Sequence, residues 1–284
     1  MRRYDRRRFL ALAGGGAAAL AVAAACGDDD EDGAGETPTA SGASPQVGSP
    51  AATAPAVTPG GDIGAAQLRW FGQSMFLLTS PGATRVLLDP FGDIGYALPP
   101  PVDATATTIT HEHPDHNNDS LAISGSRIMR GLTPDGYLDI DEAIGDVRIR
   151  TVRTFHDDTQ GTQRGRNAVF VFETAGLRIA HFGDLGHQLD DAQVSALGGP
   201  VDVAMVPVGG VFTIDADGAT ALVQQLQPKL VFPMHYKTDR TSTPLATVDA
   251  FLQGKTVRRA GSTTLRLDKA ALPAETETFV LEYE

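Results

Sequence analysis

The stretch THEHPDHNND, residues 110–119, holds three of the chain's seven histidines together with two aspartates. A β-branched run, residues 105–110, leads directly into it and predicts a strand that ends where the cluster begins. His111 and His113 are two residues apart, and side chains two apart on an extended segment point to the same side. The pair is therefore predicted to bind one metal ion.

Asp115 and His116 continue the cluster beyond the predicted strand. The chain is expected to turn there into a helix, with Asn117 or Asp119 as its capping residue. Such a turn directs Asp115 and His116 toward a neighbouring position, so the cluster predicts two half-sites. Because zinc takes about four nitrogen or oxygen ligands, each half-site needs further ligands from elsewhere in the chain.

Three single residues, each just past a predicted strand, can supply those ligands: His156, Asp184 and His235. Ligands at the same end of successive strands converge on one edge of a sheet, where sites in such folds commonly form. A hydrated polar loop is the alternative interpretation of the cluster. It does not account for three further residues of the right type at strand ends, so a metal site is favoured.

Short β-branched and aromatic runs, separated by turn residues, predict the strands. The first half of the folded part is expected to hold strands at 67–71, 75–79, 85–88, 105–110, 147–155, 168–173 and 177–182. The second half alternates helices at 191–197, 216–226 and 247–252 with strands at 201–206, 230–232, 264–267 and 279–282. This content predicts an α/β (α+β) fold, with sheets covered by helices on their outer faces.

The first 26 residues have the pattern of an export signal. A basic stretch with five arginines precedes a run of mostly small apolar residues, 9–25. Arg6 and Arg7 resemble a twin-arginine signal, the bacterial route that exports folded proteins. The apolar run is short and weakly apolar for a membrane span, so an uncleaved anchor helix is the less favoured interpretation.

Cys26 is the only cysteine of the sequence and stands where the apolar run ends. Residues 23–26, AAAC, resemble a bacterial lipobox, which implies cleavage before Cys26 and attachment of a lipid to it. A stray thiol in a signal peptide that is removed is the alternative. A single cysteine also excludes an intrachain disulfide and a cysteine-based zinc site.

Residues 27–63 are rich in Asp, Gly, Ser, Thr, Pro and Ala, hold almost nothing to bury, and predict a disordered linker. The folded domain is then 64–284, long enough for one sizeable core. The chain has a net charge of −12 although its first 26 residues are basic, so the folded body is acidic. An acidic body argues against nucleic-acid binding.

The export signal and Cys26 predict where the domain lies. It is expected outside the cytoplasmic membrane, in the periplasm or at the cell surface, anchored by lipid on Cys26.

Taken together, these residues resemble the metallo-β-lactamase superfamily: HxHxDH at 111–116, a later lone histidine, an aspartate after a glycine, and a final histidine after a strand. The resemblance covers most of residues 66–240. LRWFGQSMFLL, VLLDPF and PMHYKT are most similar to the lactonase-like branch that includes ascorbate-6-phosphate lactonase. One departure is Gln73, which stands where that branch often has histidine.

The resemblance implies a four-layer αββα sandwich of the metallo-β-lactamase type, with two metal ions between the sheet edges. It also implies the ligands: His111, His113 and His156 for the first ion, Asp115, His116 and His235 for the second, and Asp184 bridging both. Zinc is the expected cofactor, with two ions per chain, and manganese or iron is the alternative.

Two metal ions that flank a water molecule lower its pKa from about 16 toward about 7. A metal-bound hydroxide is therefore expected to attack an ester, lactone, amide or phosphodiester bond of a small molecule, with Asp115 as a proton acceptor. A diiron-type oxidoreductase is less favoured, because such relatives usually carry Glu in place of His113. A non-catalytic metal-binding lipoprotein is the remaining alternative, and the complete ligand set argues against it.

Four basic side chains are candidates for substrate contacts. Lys237, two residues after His235, is expected to face the site and attract an anionic substrate if the chain stays extended there. His187 is expected either in the pocket, as a general acid or substrate contact, or on the surface. Arg164 and Arg166 either clamp a carboxylate or phosphate or are solvated loop arginines.

The remaining features have two interpretations each. Asp89 either orients a ligating histidine or initiates a turn. Tyr236 either donates a hydrogen bond to an oxyanion or packs, and His181 is favoured as a core or supporting histidine over a ligand. Gly209 and Gly210 either let the backbone approach the metals closely or form a turn. The sequence leaves the oligomeric state open.

Overall fold

The computed structural model describes residues 64–283. The export-type segment 1–26, with Cys26, and the linker 27–63 lie outside these residues. Within 64–283 the chain forms two β-sheets with a few short helices, as the predicted α/β class requires. None of the helices in this range has the length and apolar composition that spanning a membrane takes.

The strands, in chain order, are β1 Ala66–Gly72, β2 Met75–Thr79, β3 Arg85–Leu88, β4 Ala106–Ile109, β5 Arg127–Arg130, β6 Asp141–Ile144, β7 Val147–Phe155, β8 Arg166–Thr174, β9 Leu177–His181, β10 Val203–Pro207, β11 Leu230–Met234, β12 Val257–Arg259, β13 Thr264–Leu267 and β14 Glu277–Val280. The helices are α1 Asp191–Ala196, α2 Ala216–Leu226 and α3 Asp249–Leu252. Single 3₁₀ turns lie at Asp119–Leu121 and Lys269–Ala271.

The first sheet has six strands in the order β13-β1-β2-β3-β4-β5, and the second has eight in the order β12-β14-β11-β10-β9-β8-β7-β6. In the second sheet, β7, β8 and β9 pair antiparallel, whereas β9, β10 and β11 are parallel. Parallel neighbours need crossover connections, which α1 and α2 supply. As a result β7, β9, β10 and β11 all end at the same edge of the second sheet.

The first sheet is buried on both faces because its strands are apolar at successive positions. In β2, Phe76 belongs to the main core cluster together with Phe170 of the second sheet. Its neighbour Leu77 belongs to a separate cluster with Phe91 and Leu121. Successive side chains of a strand point to opposite faces, so the second cluster covers the other face of this sheet.

The α/β class is confirmed, but local features differ from the sequence-based expectation, among them the cover of the first sheet and the segment after the histidine cluster. Phe91 and Leu121 come from a loop and a 3₁₀ turn, so these elements cover that face of the first sheet. The helix predicted after the histidine cluster is wrong, since only the turn Asp119–Leu121 forms there. Asn118 occupies the capping position without a side-chain cap bond, because its side-chain oxygen accepts from the Ser120 hydroxyl (2.5 Å). Its amide donates to the carbonyl of Phe91 (3.0 Å).

Candidate metal centre

Seven side chains converge at the carboxyl ends of β4, β7, β9 and β11. They form two groups in which the potential ligand atoms all lie within 4.8 Å of one another. The first group is His111, His113, His156 and Asp184, and the second is Asp115, His116, His235 and Asp184. Asp184 belongs to both groups.

In the first group, the Nε2 atom of His111 lies 3.1 Å from Nδ1 of His113. Nε2 of His156 lies 3.1 Å, and Nε2 of His111 3.7 Å, from Oδ2 of Asp184. The strand β4 ends at Ile109 and β7 ends at Phe155, so these ligands lie just past the ends of their strands.

In the second group, Nε2 of His116 lies 3.1 Å from Oδ1 of Asp184 and 3.5 Å from Oδ2 of Asp115. Nε2 of His235 lies 3.4 Å from Oδ2 of Asp184 and 3.7 Å from Oδ2 of Asp115. The two Asp184 oxygens therefore face donors of both groups.

These spacings fit a metal ion better than hydrogen bonding. Tetrahedral zinc with bonds of about 2.0–2.1 Å separates neighbouring ligand atoms by about 3.3 Å, within the observed range. Nε2 of His116 and Oδ1 of Asp184 are buried and lack a hydrogen-bond partner, although they are close together. Buried polar atoms normally have a hydrogen-bond partner, so two adjacent buried atoms without one indicate that a metal ion binds between them.

Solvent reaches the seven-residue centre at His113 and Asp115. His113 is exposed and the side chain of Asp115 is 25% accessible. His111, His156 and Asp184 are each almost fully buried. A substrate would therefore reach the centre past His113 and Asp115.

Asp89 supports the second group through a hydrogen bond to a ligand. Its carboxylate accepts from Nδ1 of His116 (2.8 Å), from the backbone N–H of Thr110 (2.8 Å) and from the Thr110 hydroxyl (2.6 Å). A proton on Nδ1 leaves the lone pair of Nε2 directed at Asp184, which is the tautomer a metal ligand needs. Of its two interpretations, the structure favours the orienting role.

Asn167 holds the turn that carries Asp184, a role that the sequence did not reveal. Its side-chain oxygen accepts from the backbone N–H of Asp184 (3.0 Å), and its amide donates to the carbonyl of Phe182 (3.0 Å). Gly183 has φ +53, and a Cβ there would lie 2.4 Å from the Asn167 oxygen. Only glycine combines that backbone conformation with so close a neighbour.

Gln73 contacts the second group twice. Its amide donates to Oδ2 of Asp115 (3.1 Å), and its backbone carbonyl accepts from the N–H of His235 (3.2 Å). Gln73 is almost fully buried with φ +47. The residue at which this chain departs from the lactonase-like branch thus braces two of the predicted ligands.

Electrostatics favour the metal-binding protonation state at Asp184 and His111 but not at His116 and His156, whose pKa values are raised by nearby carboxylates against the effect of burial. Burial alone would raise the pKa of Asp184, but His116, His235 and His156 outweigh it and hold that pKa well below the usual value. Burial lowers the pKa of His111 well below its usual value. Burial also opposes a proton on His116, but the nearby carboxylates raise its pKa, so metal uptake there would release a proton.

Two predicted catalytic residues are oriented differently from the expectation, and Lys237 is the first. The chain is not extended past β11, because the strand ends at Met234 and His235 has φ +50. The Lys237 ammonium donates to the backbone carbonyls of Thr241 and Thr243. The prediction that Lys237 faces the site is therefore corrected.

His187 is the second correction. Its Nε2 accepts from the backbone N–H of Phe155 (3.1 Å), and its Nδ1 donates to the carbonyl of Gln188 (2.7 Å). Both ring nitrogens are thus occupied by backbone groups. The geometry assigns His187 to holding the end of β7 against the turn after Asp184, and argues against an acid–base role.

The other basic and aromatic candidates also have defined contacts. His181 donates through Nε2 to the carbonyl of Ser74 (2.8 Å), as a supporting histidine. Tyr236 is buried and packs on Trp70, with ring centroids 5.6 Å apart. Arg166 lies over the ring of Tyr137 at 5.8 Å.

Comparison with known proteins gives one family. The model of the β-lactamase superfamily domain matches residues 67–235. A UPF0173 metal-dependent hydrolase from Thermococcus onnurineus is 31% identical over 192 residues, which are 61% of this chain and 85% of that protein. One from Pyrobaculum islandicum is 32% identical over 198 residues, 61% of this chain and 84% of that protein.

A solved structure extends the similarity to the fold. A protein from Thermotoga maritima, assigned to the Zn-dependent hydrolases of the metallo-β-lactamase superfamily, superposes with a TM-score of 0.60 at 32% identity. The match covers 77% of this chain and all of that one.

Proposed function

Because the chain belongs to the β-lactamase superfamily domain family, and within it to the UPF0173 metal-dependent hydrolases, we propose that it cleaves an ester, lactone, amide or phosphodiester bond with two metal ions. The observation that carries this proposal is Asp184, a buried carboxylate common to two groups of donor atoms. A shared carboxylate suits two adjacent ions better than one.

The metal ligands would be divided as follows: His111, His113 and His156 on one ion, Asp115, His116 and His235 on the other, and Asp184 on both. Imidazole and carboxylate donors suit zinc, and also manganese or iron. When bound, such ions supply Lewis acidity, which acidifies a water molecule and polarises a carbonyl or phosphoryl oxygen.

We assign proton transfer to the carboxylate of Asp115. It lies at the open side of the centre, and its pKa is low because His116 and His235 outweigh the opposing effect of burial. The Gln73 amide holds one of its oxygens. Asp89 keeps the Nδ1 proton on His116, so that the lone pair of Nε2 stays directed at the metal position.

The first test is a metal count on the full chain, purified and loaded with zinc, by elemental analysis. Two ions per chain are expected, falling to one or none in Asp184→Ala. Asp141→Ala is the matched control, because this aspartate is exposed on β6 and pairs with Arg148. No bound metal after loading, or an unchanged count in Asp184→Ala, would refute the proposal.

The second test is turnover. Metal-loaded protein is assayed with p-nitrophenyl esters, aliphatic lactones, anilides and bis(p-nitrophenyl) phosphate. Hydrolysis of at least one class is expected, with loss in His113→Ala and retention in Asp141→Ala. Bound metal without turnover of any class would favour a non-catalytic metal-binding protein, and bound iron with redox activity would favour an oxidoreductase.

We also propose that the protein is exported and lipid-anchored, on the basis of Arg6, Arg7 and Cys26 in the sequence. Replacement of Arg6 and Arg7 by lysine is expected to leave the protein in the cytoplasm. Cys26→Ser is expected to release it from the membrane fraction. Continued export of the lysine variant, measured by cell fractionation, would remove the twin-arginine interpretation.

A further inference from the structure

A short loop beside the metal centre presents two large apolar side chains to solvent. Residues 209–214 connect β10 to α2, and in this loop Val211 is 55% and Phe212 is 37% exposed. Scattered exposed apolar residues are common, but two adjacent ones at a candidate active site call for an explanation.

Both ends of the loop are tied to segments that carry predicted ligands. The N–H of Gly209 donates to the carbonyl of His235 (3.1 Å). The N–H of Ile214 donates to the carbonyl of Leu185 (2.8 Å), the residue after Asp184. The tip with Val211 and Phe212 is therefore positioned by the same backbone that positions two ligands.

A third tie comes from the segment after His156. Arg164 donates through Nη2 to the carbonyl of Val211 (2.9 Å), and its guanidinium carbon lies 6.0 Å from the ring centroid of Phe212. Arg164 is itself held by the buried carboxylate of Asp157, which accepts from its backbone N–H (2.7 Å). Arg164 thus has a defined structural role as a positioning residue for the tip.

The tip is held in a costly backbone conformation. Val211 has φ +62, and the N–H of Phe212 donates to the carbonyl of Gly210 (2.6 Å). This is the arrangement of the rarer, strained form of γ-turn, in which a β-branched residue is especially unfavourable. Because Val211 is exposed, burial does not offset the strain. Retained strain of this kind clusters at functional sites.

We propose that Val211 and Phe212 form an apolar rim that contacts the substrate beside the scissile bond. The inference rests on the proposed hydrolase function and specifies its substrate class: a molecule with an alkyl, acyl or aryl group next to the bond that is cleaved. The continuity of the loop with three ligand-bearing segments favours a substrate over a membrane surface or a second copy of the chain as the occupant.

The test compares short and long acyl groups with the full, metal-loaded chain. For p-nitrophenyl esters from acetate to octanoate, kcat/KM is expected to rise about fourfold for each methylene that the rim covers. The octanoate-to-acetate ratio should fall at least about tenfold in Phe212→Ala and in Val211→Gly. Ile123→Ala is the matched control, since Ile123 is also an exposed apolar residue (43%). Its N–H donates to the carbonyl of Val102, which precedes β4, so Ile123 lies away from the end of β4 that carries the ligands.

A binding measurement separates this inference from the proposed function. The affinities of octanohydroxamic and acetohydroxamic acid are compared by isothermal titration calorimetry, which needs no turnover. A preference for the longer acid that disappears in Phe212→Ala supports the rim even if none of the esters is cleaved. Equal affinities in the unaltered protein, or an unchanged preference in both variants, overturn it.

Val211→Gly also distinguishes a substrate role from a purely structural one. Glycine adopts positive φ without strain, so this variant should melt at the same or a higher temperature. If the substrate role is right, the chain-length preference is lost although stability is not. A retained preference, or a loss of binding to phosphatidylglycerol vesicles in place of a changed preference, would overturn the assignment.

Discussion

Gly209→Ala is expected to disturb the second ligand group without removing any functional side chain. A Cβ at residue 209 would lie 2.2 Å from the carbonyl oxygen of His235 and 2.9 Å from Cα of Tyr236. Real Cβ atoms essentially never approach below 3.0 Å, so the backbone that carries His235 must move by about 1 Å. Gly209 is not among the residues with positive φ, so the effect is steric and not conformational.

The expected magnitude has two parts. Overpacking of this kind costs about 1–3 kcal/mol of unfolding free energy, and loss of the Gly209–His235 backbone hydrogen bond adds about 1 kcal/mol. For a domain of this size, each kcal/mol lowers Tm by about 2–4 °C, so the Tm should fall by roughly 5–15 °C. A displacement of about 1 Å at a catalytic group lowers the rate by about 100-fold.

The assay combines elemental analysis, differential scanning calorimetry and turnover of the best substrate found. Gly209→Ala should retain about one ion per chain, since the first group does not include His235. Gly136→Ala is the matched control, because the nearest neighbour of its new Cβ is the Thr133 hydroxyl at 3.8 Å. If Gly209→Ala keeps two ions and has the same Tm as Gly136→Ala, the close backbone approach does not hold His235 in place.

Two further predictions concern residues outside the ligand set. His187→Ala should lower the unfolding free energy by about 1–2 kcal/mol, because it removes two hydrogen bonds to the backbone. Its kcat/KM should change by less than about threefold. A loss of kcat/KM of about 100-fold or more would show that His187 is a catalytic residue. The carboxylate of Asp146 accepts hydrogen bonds from the hydroxyls of Ser80 and Thr84 and so links the β6–β7 turn to the β2–β3 turn. Burial raises the pKa of Asp146, but these hydrogen bonds outweigh burial and lower that pKa. An unfolded chain therefore takes up the proton first, so the stability that Asp146 contributes is complete above about pH 4 and is lost as the pH falls below that value. The difference in urea stability between the unaltered protein and Asp146→Asn should accordingly shrink below about pH 4, and a difference that grows toward acid would contradict this assignment.

The strands that the sequence predicted are mostly those in the interior of the sheets. The three missed strands, β5, β6 and β12, all lie at sheet edges. Each is short and carries charged side chains, for example Arg127 in β5 and Asp141 in β6. Edge strands bury little and are often charged, which protects them from pairing with other chains. They form because a neighbouring strand offers free backbone groups, and that neighbour is distant in sequence.

The candidate site also has a part that the sequence predicts and a part that depends on contacts between distant residues. The donor residues could be identified from the sequence because imidazole and carboxylate groups at strand ends form a pattern that is short-range and chemically specific. The orientation of Lys237 could not, since it depends on the positive φ at His235, and that conformation depends in turn on contacts with Gln73 and Gly209. The role of Asn167 was equally hidden, because its partners are 13 to 17 residues away.

The sequence by itself determined the α/β class and the donor residues, because periodicity and side-chain chemistry are local properties. The tertiary structure alone decided that His187 and Lys237 bind backbone carbonyls or amides, and that Val211 and Phe212 stand beside the centre. Those outcomes depend on hydrogen bonds and steric contacts between segments that are remote in sequence, and a residue's type does not specify such partners.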